Sequence, residues 1–256
     1  MRRLRYLTGQ HRTASINRLL GALLAFNAGA INAGGFLVVH MYTSHMTGFA
    51  SLLADNLVLG NMKLVLGAIG ALLAFTCGAA FTAIQVNWAR QHGLRSEYAL
   101  TLLVEAVLLL LFGLMGATLG RQTPFAVPMT VLVLSFTMGL QNALVSKISS
   151  SQIRTTHMTG IVTDIGIELG KLFYWNRMEN RPESQVRANF IKLRLLSTLL
   201  GAFITGGVVG AAGFKYIGFI WVVPLALLLL ALCLPPLYSD LQRILRRRFN
   251  AIEQDS

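Results

Sequence analysis

The sequence predicts an all-α polytopic membrane protein: six transmembrane helices as two inverted three-helix repeats, each with a short broken or re-entrant helix after a His-Met-Thr-Gly motif. Three observations predict it. The tetrapeptide His45-Met46-Thr47-Gly48 returns as His157-Met158-Thr159-Gly160. Six apolar runs are each long enough to cross a hydrocarbon core, which takes about 20 residues. The basic residues fall almost wholly on one side of those runs.

The repeat extends beyond four letters. Gly29-Ala30-Ile31-Asn32-Ala33 and Gly139-Leu140-Gln141-Asn142-Ala143 both read G-x-x-N-A, 13 and 15 residues from Asn to His. Downstream, Phe75 to Gly78 resembles Phe203 to Gly206. Three motifs in the same order predict a duplication and fusion. The divisions are a basic tail (1–18), repeat 1 (19–120), repeat 2 (121–237, with a basic loop at 175–194) and a second basic tail (238–256).

With 54% hydrophobic and 12% charged residues, the chain carries about half the charge of a soluble domain. The six spans are Leu19 to Val39, Leu64 to Val86, Ala99 to Leu119, Phe125 to Val145, Leu195 to Phe214 and Tyr216 to Leu234. The net charge of +12 would suggest nucleic acid in a soluble protein. Here it reads as membrane orientation. With both termini in the cytoplasm, 19 Lys and Arg face inside and only Lys63, Arg121 and Lys215 face outside. Full crossings after each His-Met-Thr-Gly would worsen the division to 17 against 5. The expected location is the bacterial inner membrane.

In chain order, MRRLRYLTGQHRTASINR precedes LLGALLAF and Ala28-Gly29-Ala30, a signal-peptide-like start. Recurrence of G-x-x-N-A deep in the chain predicts that this segment is retained as the first helix. Its half NAGAINAGGF suits close helix packing. The first His-Met-Thr-Gly then leads into about 12 apolar residues, too few to span by the usual length. Gly67, Gly70, Gly78, Gly113, Gly116 and Gly120 give small faces to the next two spans. Glu105 is a carboxyl inside the third span, where a charge at the helix centre costs about 2.5–3.5 kcal/mol. It is a candidate for proton or ion coupling, with a hydrogen-bonded structural role as the alternative.

Pro124 and Pro128 suit the first turns of the fourth helix. After the second motif, Asp164, Glu168 and Lys171 share one helical face. Asp55, Asp164 and Glu168 join Glu105 as coupling candidates, with mutual neutralisation the structural alternative. Pro182-Glu183-Ser184 suggests a short amphipathic start within the basic loop. The last span is expected to end at Pro235-Pro236, and Arg243 to Arg248 hold the C-terminus inside.

Three crossings per half put the second copy in the membrane upside down, the arrangement of many secondary transporters. In that reading Gly48 and Gly160 permit a tight bend, Thr47 and Thr159 cap the following helices, and the helix starts favour an anionic group. Histidine exchanges protons near neutral pH, so His45 and His157 are candidates to carry protons or touch a solute. The solute-binding set is Asn32, His45, Thr47, Gly48, Asn142, His157, Thr159 and Gly160. The structural alternative is a capping threonine and a histidine reaching a lipid headgroup.

The paired G-x-x-N-A, the paired Thr-Gly motifs and the F-x-x-G helices resemble the YoaK family of bacterial inner-membrane proteins, a domain of unknown function. The resemblance covers about residues 19 to 237. Members often carry Asp where Asn32 stands and Asn where Phe49 stands. It implies a multi-span membrane protein and supplies no substrate or reaction.

The leading function is a small transporter or permease. A membrane scaffold binding another protein through Trp175 to Arg194 is the alternative. A redox protein with His40, His45 and His157 as metal or haem ligands is weaker, because no H-x-x-x-H pair accompanies them. No G-x-S-x-G or comparable nucleophile arrangement suggests an enzyme. Cys77 and Cys233 lie inside spans and suggest neither a disulfide nor a metal site. No cofactor is expected. The partners expected are membrane lipid, a small solute or ion and a second copy of the chain, not nucleic acid.

Overall fold

A computed structural model describes residues 14–94, 96–118, 126–149, 155–175 and 185–254. Arg95, Arg121, Pro124, Arg154 and the Pro182-Glu183-Ser184 segment lie outside the described residues. Among the described residues, eight α-helices follow one another: α1 (Ala14–Val39), α2 (Met46–Leu59), α3 (Met62–Gln91), α4 (Ala99–Thr118), α5 (Ala126–Ile148), α6 (Met158–Phe173), α7 (Phe190–Tyr216) and α8 (Val222–Gln254), with a 3-10 turn at Phe219–Trp221. Six are long and apolar enough to cross a membrane: α1, α3, α4, α5, α7 and the turn continuing into α8. These match the six sequence runs. At 1.5 Å per residue, α2 and α6 extend only about 21 and 24 Å, short of a hydrocarbon core of about 30 Å.

Two close helix pairs organise the bundle. Phe26, Ala30 and Gly34 of α1 face Gly206, Gly210 and Phe214 of α7 in rising order, so the two helices run parallel. On α3 and α5, Gly78 meets Phe136 and Thr82 donates to the Leu140 carbonyl at 3.0 Å, again in parallel register. Both pairs use one device. A Cβ at Gly29 would collide with the Phe203 carbonyl oxygen and one at Gly206 with that of Phe26; Gly78 and Gly139 stand in the same reciprocal relation to Phe136 and Phe75. The F-x-x-G spacing therefore occurs four times, at Phe26, Phe75, Phe136 and Phe203. Backbones approach this closely only where no side chain intervenes.

The pairs join through α1 and α5, the most buried spans, while α3 and α7 carry much exposed apolar surface. Gln141 donates to the Leu24 carbonyl at 2.9 Å and Gly35 abuts Leu134, so α1 and α5 run antiparallel. α4 lies antiparallel against α8. Ser96 donates through its amide and hydroxyl to Asp240 at 2.9 and 2.6 Å, while Gly113, near the far end of α4, faces Val222. Beside that contact, Arg90 donates to Glu97 at 2.7 Å and to the Tyr98 hydroxyl at 2.8 Å, tying α3 to the start of α4.

Two expectations about helix ends are corrected. Pro128 does sit in the first turn of α5, but Pro235 and Pro236 do not end the last helix, which continues to Gln254. A proline removes one intrahelical bond, and neighbouring helices and hydroxyl side chains make this tolerable in such bundles. The basic loop is also shorter than expected, because α7 begins at Phe190, with Asn189 accepting from the Lys192 amide at 3.0 Å.

Candidate functional site

The two short helices begin at the repeated motifs, and both starts open on one cavity of about 780 Å³. Corresponding residues of the two halves line it: Asn32 with Asn142, Ser44 with Thr156, His45 with His157, Met46 with Met158, Thr47 with Thr159, and Phe75 with Phe203. Tyr42 and Ser146 complete the wall. Phe75 is the fourteenth of the 30 residues of α3, and Phe203 the fourteenth of the 27 of α7, so each reaches the cavity near its midpoint.

Local sequence explains how each motif is held. The Ser44 hydroxyl donates to Asn32 Oδ1 at 3.1 Å, and the Thr156 hydroxyl donates to Asn142 Oδ1 at 2.7 Å. The hydroxyl-rich approach to each motif thus ties it to the Asn of G-x-x-N-A. Asn142 also donates from Nδ2 to the Met138 carbonyl, 2.8 Å away on its own helix.

The roles expected of threonine and glycine are corrected. His45 and His157, not the threonines, occupy the N-cap positions, and neither makes a capping hydrogen bond through its side chain. Gly48 and Gly160 lie within the first helical turn and bend nothing; among the described glycines, positive φ occurs at Gly60, Gly93 and Gly218. A Cβ at Gly48 or Gly160 would instead run into the imidazole of His45 or His157. The glycines are seats for the histidine rings. Before the first motif, His40 adopts φ 54°.

Six of the eight expected solute-binding residues line the cavity: Asn32, His45, Thr47, Asn142, His157 and Thr159. Gly48 lines a smaller recess of about 200 Å³ with His45 and Phe49, and Gly160 supports His157 from behind. The expected set did not include the other eight lining residues, Tyr42, Ser44, Met46, Phe75, Ser146, Thr156, Met158 and Phe203. The two phenylalanines carried a signal in their F-x-x-G repeat.

None of the four coupling candidates lines the cavity. Asp55 is exposed on α2. Asp164 pairs with Lys192 at 3.3 Å, and the buried Glu168 accepts from the Asn189 amide at 2.7 Å and from Lys171 at 3.0 Å. These two carboxylates fasten α6 to the start of α7. The Asn189 N–H, then Lys171, hold the Glu168 carboxyl below the usual carboxylate range. Glu105 is fully buried and accepts from Asn27 Nδ2 at 3.4 Å. Asn27 Oδ1, Glu105 Oε2 and Gln141 Oε1 are buried without a hydrogen-bond partner among the described residues. Gln141 is fully buried while its neighbour Asn142 lines the cavity.

Among the described residues, no group of three or more His, Cys, Asp or Glu is placed to hold a metal ion. His40 packs edge-on against Phe36 at 6.1 Å, and the cavity wall does not include it.

The chain is 27% identical over 164 residues to the UPF0700 transmembrane protein YoaK of Bacillus subtilis (strain 168), an alignment covering 63% of this chain and 71% of that protein. No solved structure matches it. The family model described as "Protein of unknown function (DUF1275)" matches residues 20–234. With six apolar spans under that match, the chain is a multi-pass membrane protein and belongs to the YoaK, or DUF1275, family.

Proposed function

We propose that the protein is a small-solute permease of the bacterial inner membrane, with both termini cytoplasmic and the transported solute bound at mid-depth between two inverted halves. One observation carries the reading: a single cavity is lined by matching residues from both His-Met-Thr-Gly segments. Helix directions support the inversion, since α1 parallels α7, α3 parallels α5, and α1 opposes α5. The reach of the short helices supports the depth. From Met62 to Phe75 is about 20 Å along α3, about the length of α2, so α2 runs outward from the cavity and α3 returns past it.

In this reading the halves rock about the fixed site, exposing it to each side in turn, as inverted-repeat transporters do. Glu105, fully buried against Asn27 of α1, is the candidate for proton coupling. A flux assay in proteoliposomes with a panel of labelled metabolites tests the reading. Thr47→Val with Thr159→Val keeps volume and removes both hydroxyls from the cavity. The expected result is uptake of one solute class by the native protein and a loss of about tenfold or more in the double variant, since one or two hydrogen bonds of about 1 kcal/mol each are removed. Full transport by the double variant would remove the threonines from the site. No flux of any solute would overturn the permease reading.

A further inference from the structure

Resting on the reading of the central cavity as a solute site, we propose that the solute is a small anion, recognised through a carboxylate-like oxyanion by two helix starts together. In the first turn of α2, the Met46 amide bonds to Ser44 O and the Phe49 amide to His45 O, leaving the Thr47 and Gly48 amides without an acceptor among the described residues. The first turn of α6 repeats this. Met158 bonds to Thr156 O and Ile161 to His157 O, leaving Thr159 and Gly160. Each helix start carries a partial positive charge of roughly half an elementary charge. Soluble helices commonly offset it with an acidic residue or a capping oxygen, and both starts here have neither.

A separate observation comes from α1. Asn32 is only 8% exposed, lines the cavity, and has its oxygen occupied by the Ser44 hydroxyl. Its Nδ2 donor has no partner among the described residues. The lining contains no carboxylate, and both asparagine oxygens are already engaged by hydroxyls. A cation would find only neutral hydroxyl and imidazole acceptors there, with no charge to offset its own, whereas an oxyanion finds donors from both halves. Phe75 and Phe203 supply apolar walls for a short hydrocarbon body.

The test is thermal unfolding of the purified full chain with sodium propionate, sodium succinate or sodium sulfate, against propionamide and choline, at constant ionic strength and chloride. A ligand that binds only the folded state raises the melting temperature with concentration. The expected result is stabilisation by at least one anion and none by propionamide or choline. Propionate or succinate without sulfate assigns a carboxylate, and sulfate alone an inorganic oxyanion. Asn32→Asp sets a like charge at the site and should weaken the apparent affinity about tenfold or more. Asn32→Leu removes the donor without adding charge and should lose affinity to a smaller degree. Equal stabilisation by propionamide or choline, no stabilisation by any anion, or undiminished affinity in Asn32→Asp would overturn the proposal. The two readings fail separately: anion binding without flux in proteoliposomes removes the permease, while flux of a neutral or cationic solute removes the anion.

Discussion

Alanine at Gly29, Gly78, Gly139 or Gly206 is expected to cost at least about 2–3 kcal/mol, the scale of overpacking a tightly fitted interior. Each new methyl would collide with a backbone carbonyl oxygen of the partner helix, and a backbone cannot turn aside as a side chain can. The four sites form two reciprocal pairs, so one substitution forces apart a whole helix pair, α1 from α7 or α3 from α5. Alanine at Gly67, Gly166 or Gly201 supplies the contrast. A Cβ at those helical positions meets nothing within 4 Å, so stability should hold or rise by about 0.5–1 kcal/mol, the helix-propensity gain over glycine. Thermal unfolding in detergent, read by loss of the monodisperse peak, separates the two sets. Equal effects in both would mean that the pairs are not held by backbone contact.

Glu105 is the second position where a large effect is expected. Glu105→Ala removes Asn27's described hydrogen-bond acceptor and opens a void in a fully buried layer, at a cost of about 2–4 kcal/mol. Glu105→Gln is expected to stay within about 1 kcal/mol of native, because an amide of the same size can still accept from Asn27. Stability and transport should then part company. If Glu105 carries the coupling proton, Glu105→Gln folds as the native protein does but its flux no longer responds to a pH gradient. A Glu105→Gln protein that keeps a gradient-driven flux assigns Glu105 to packing alone.

Much of the fold was legible because membrane helices advertise themselves by length and apolarity. The six spans, the two short helices and the pairing of Asn32 with Asn142 could all be read from one chain. What failed were local assignments that depend on contacts across space. Gly48 and Gly160 looked like bends because glycine after threonine often is one, yet the need for glycine comes from the imidazole three residues earlier. Pro235-Pro236 looked like a stop because sequence cannot show that the packed bundle carries the helix onward. Asp164 and Glu168 looked like site residues, but their cationic partner Lys192 lies on another helix. Phe75 and Phe203 stand out in the sequence only through the F-x-x-G repeat, yet both line the cavity while their backbone carbonyls face the glycines of the helix seams.

The permease reading requires that one cavity, lined by both halves, is reached from either side of the membrane. Its most direct test is Thr47→Cys in a Cys77→Ala, Cys233→Ala background, labelled by a membrane-impermeant maleimide added to one side or the other of oriented vesicles. The account predicts labelling from both sides, slowed from both by the transported solute. Labelling from one side only, unchanged by any solute, would contradict it.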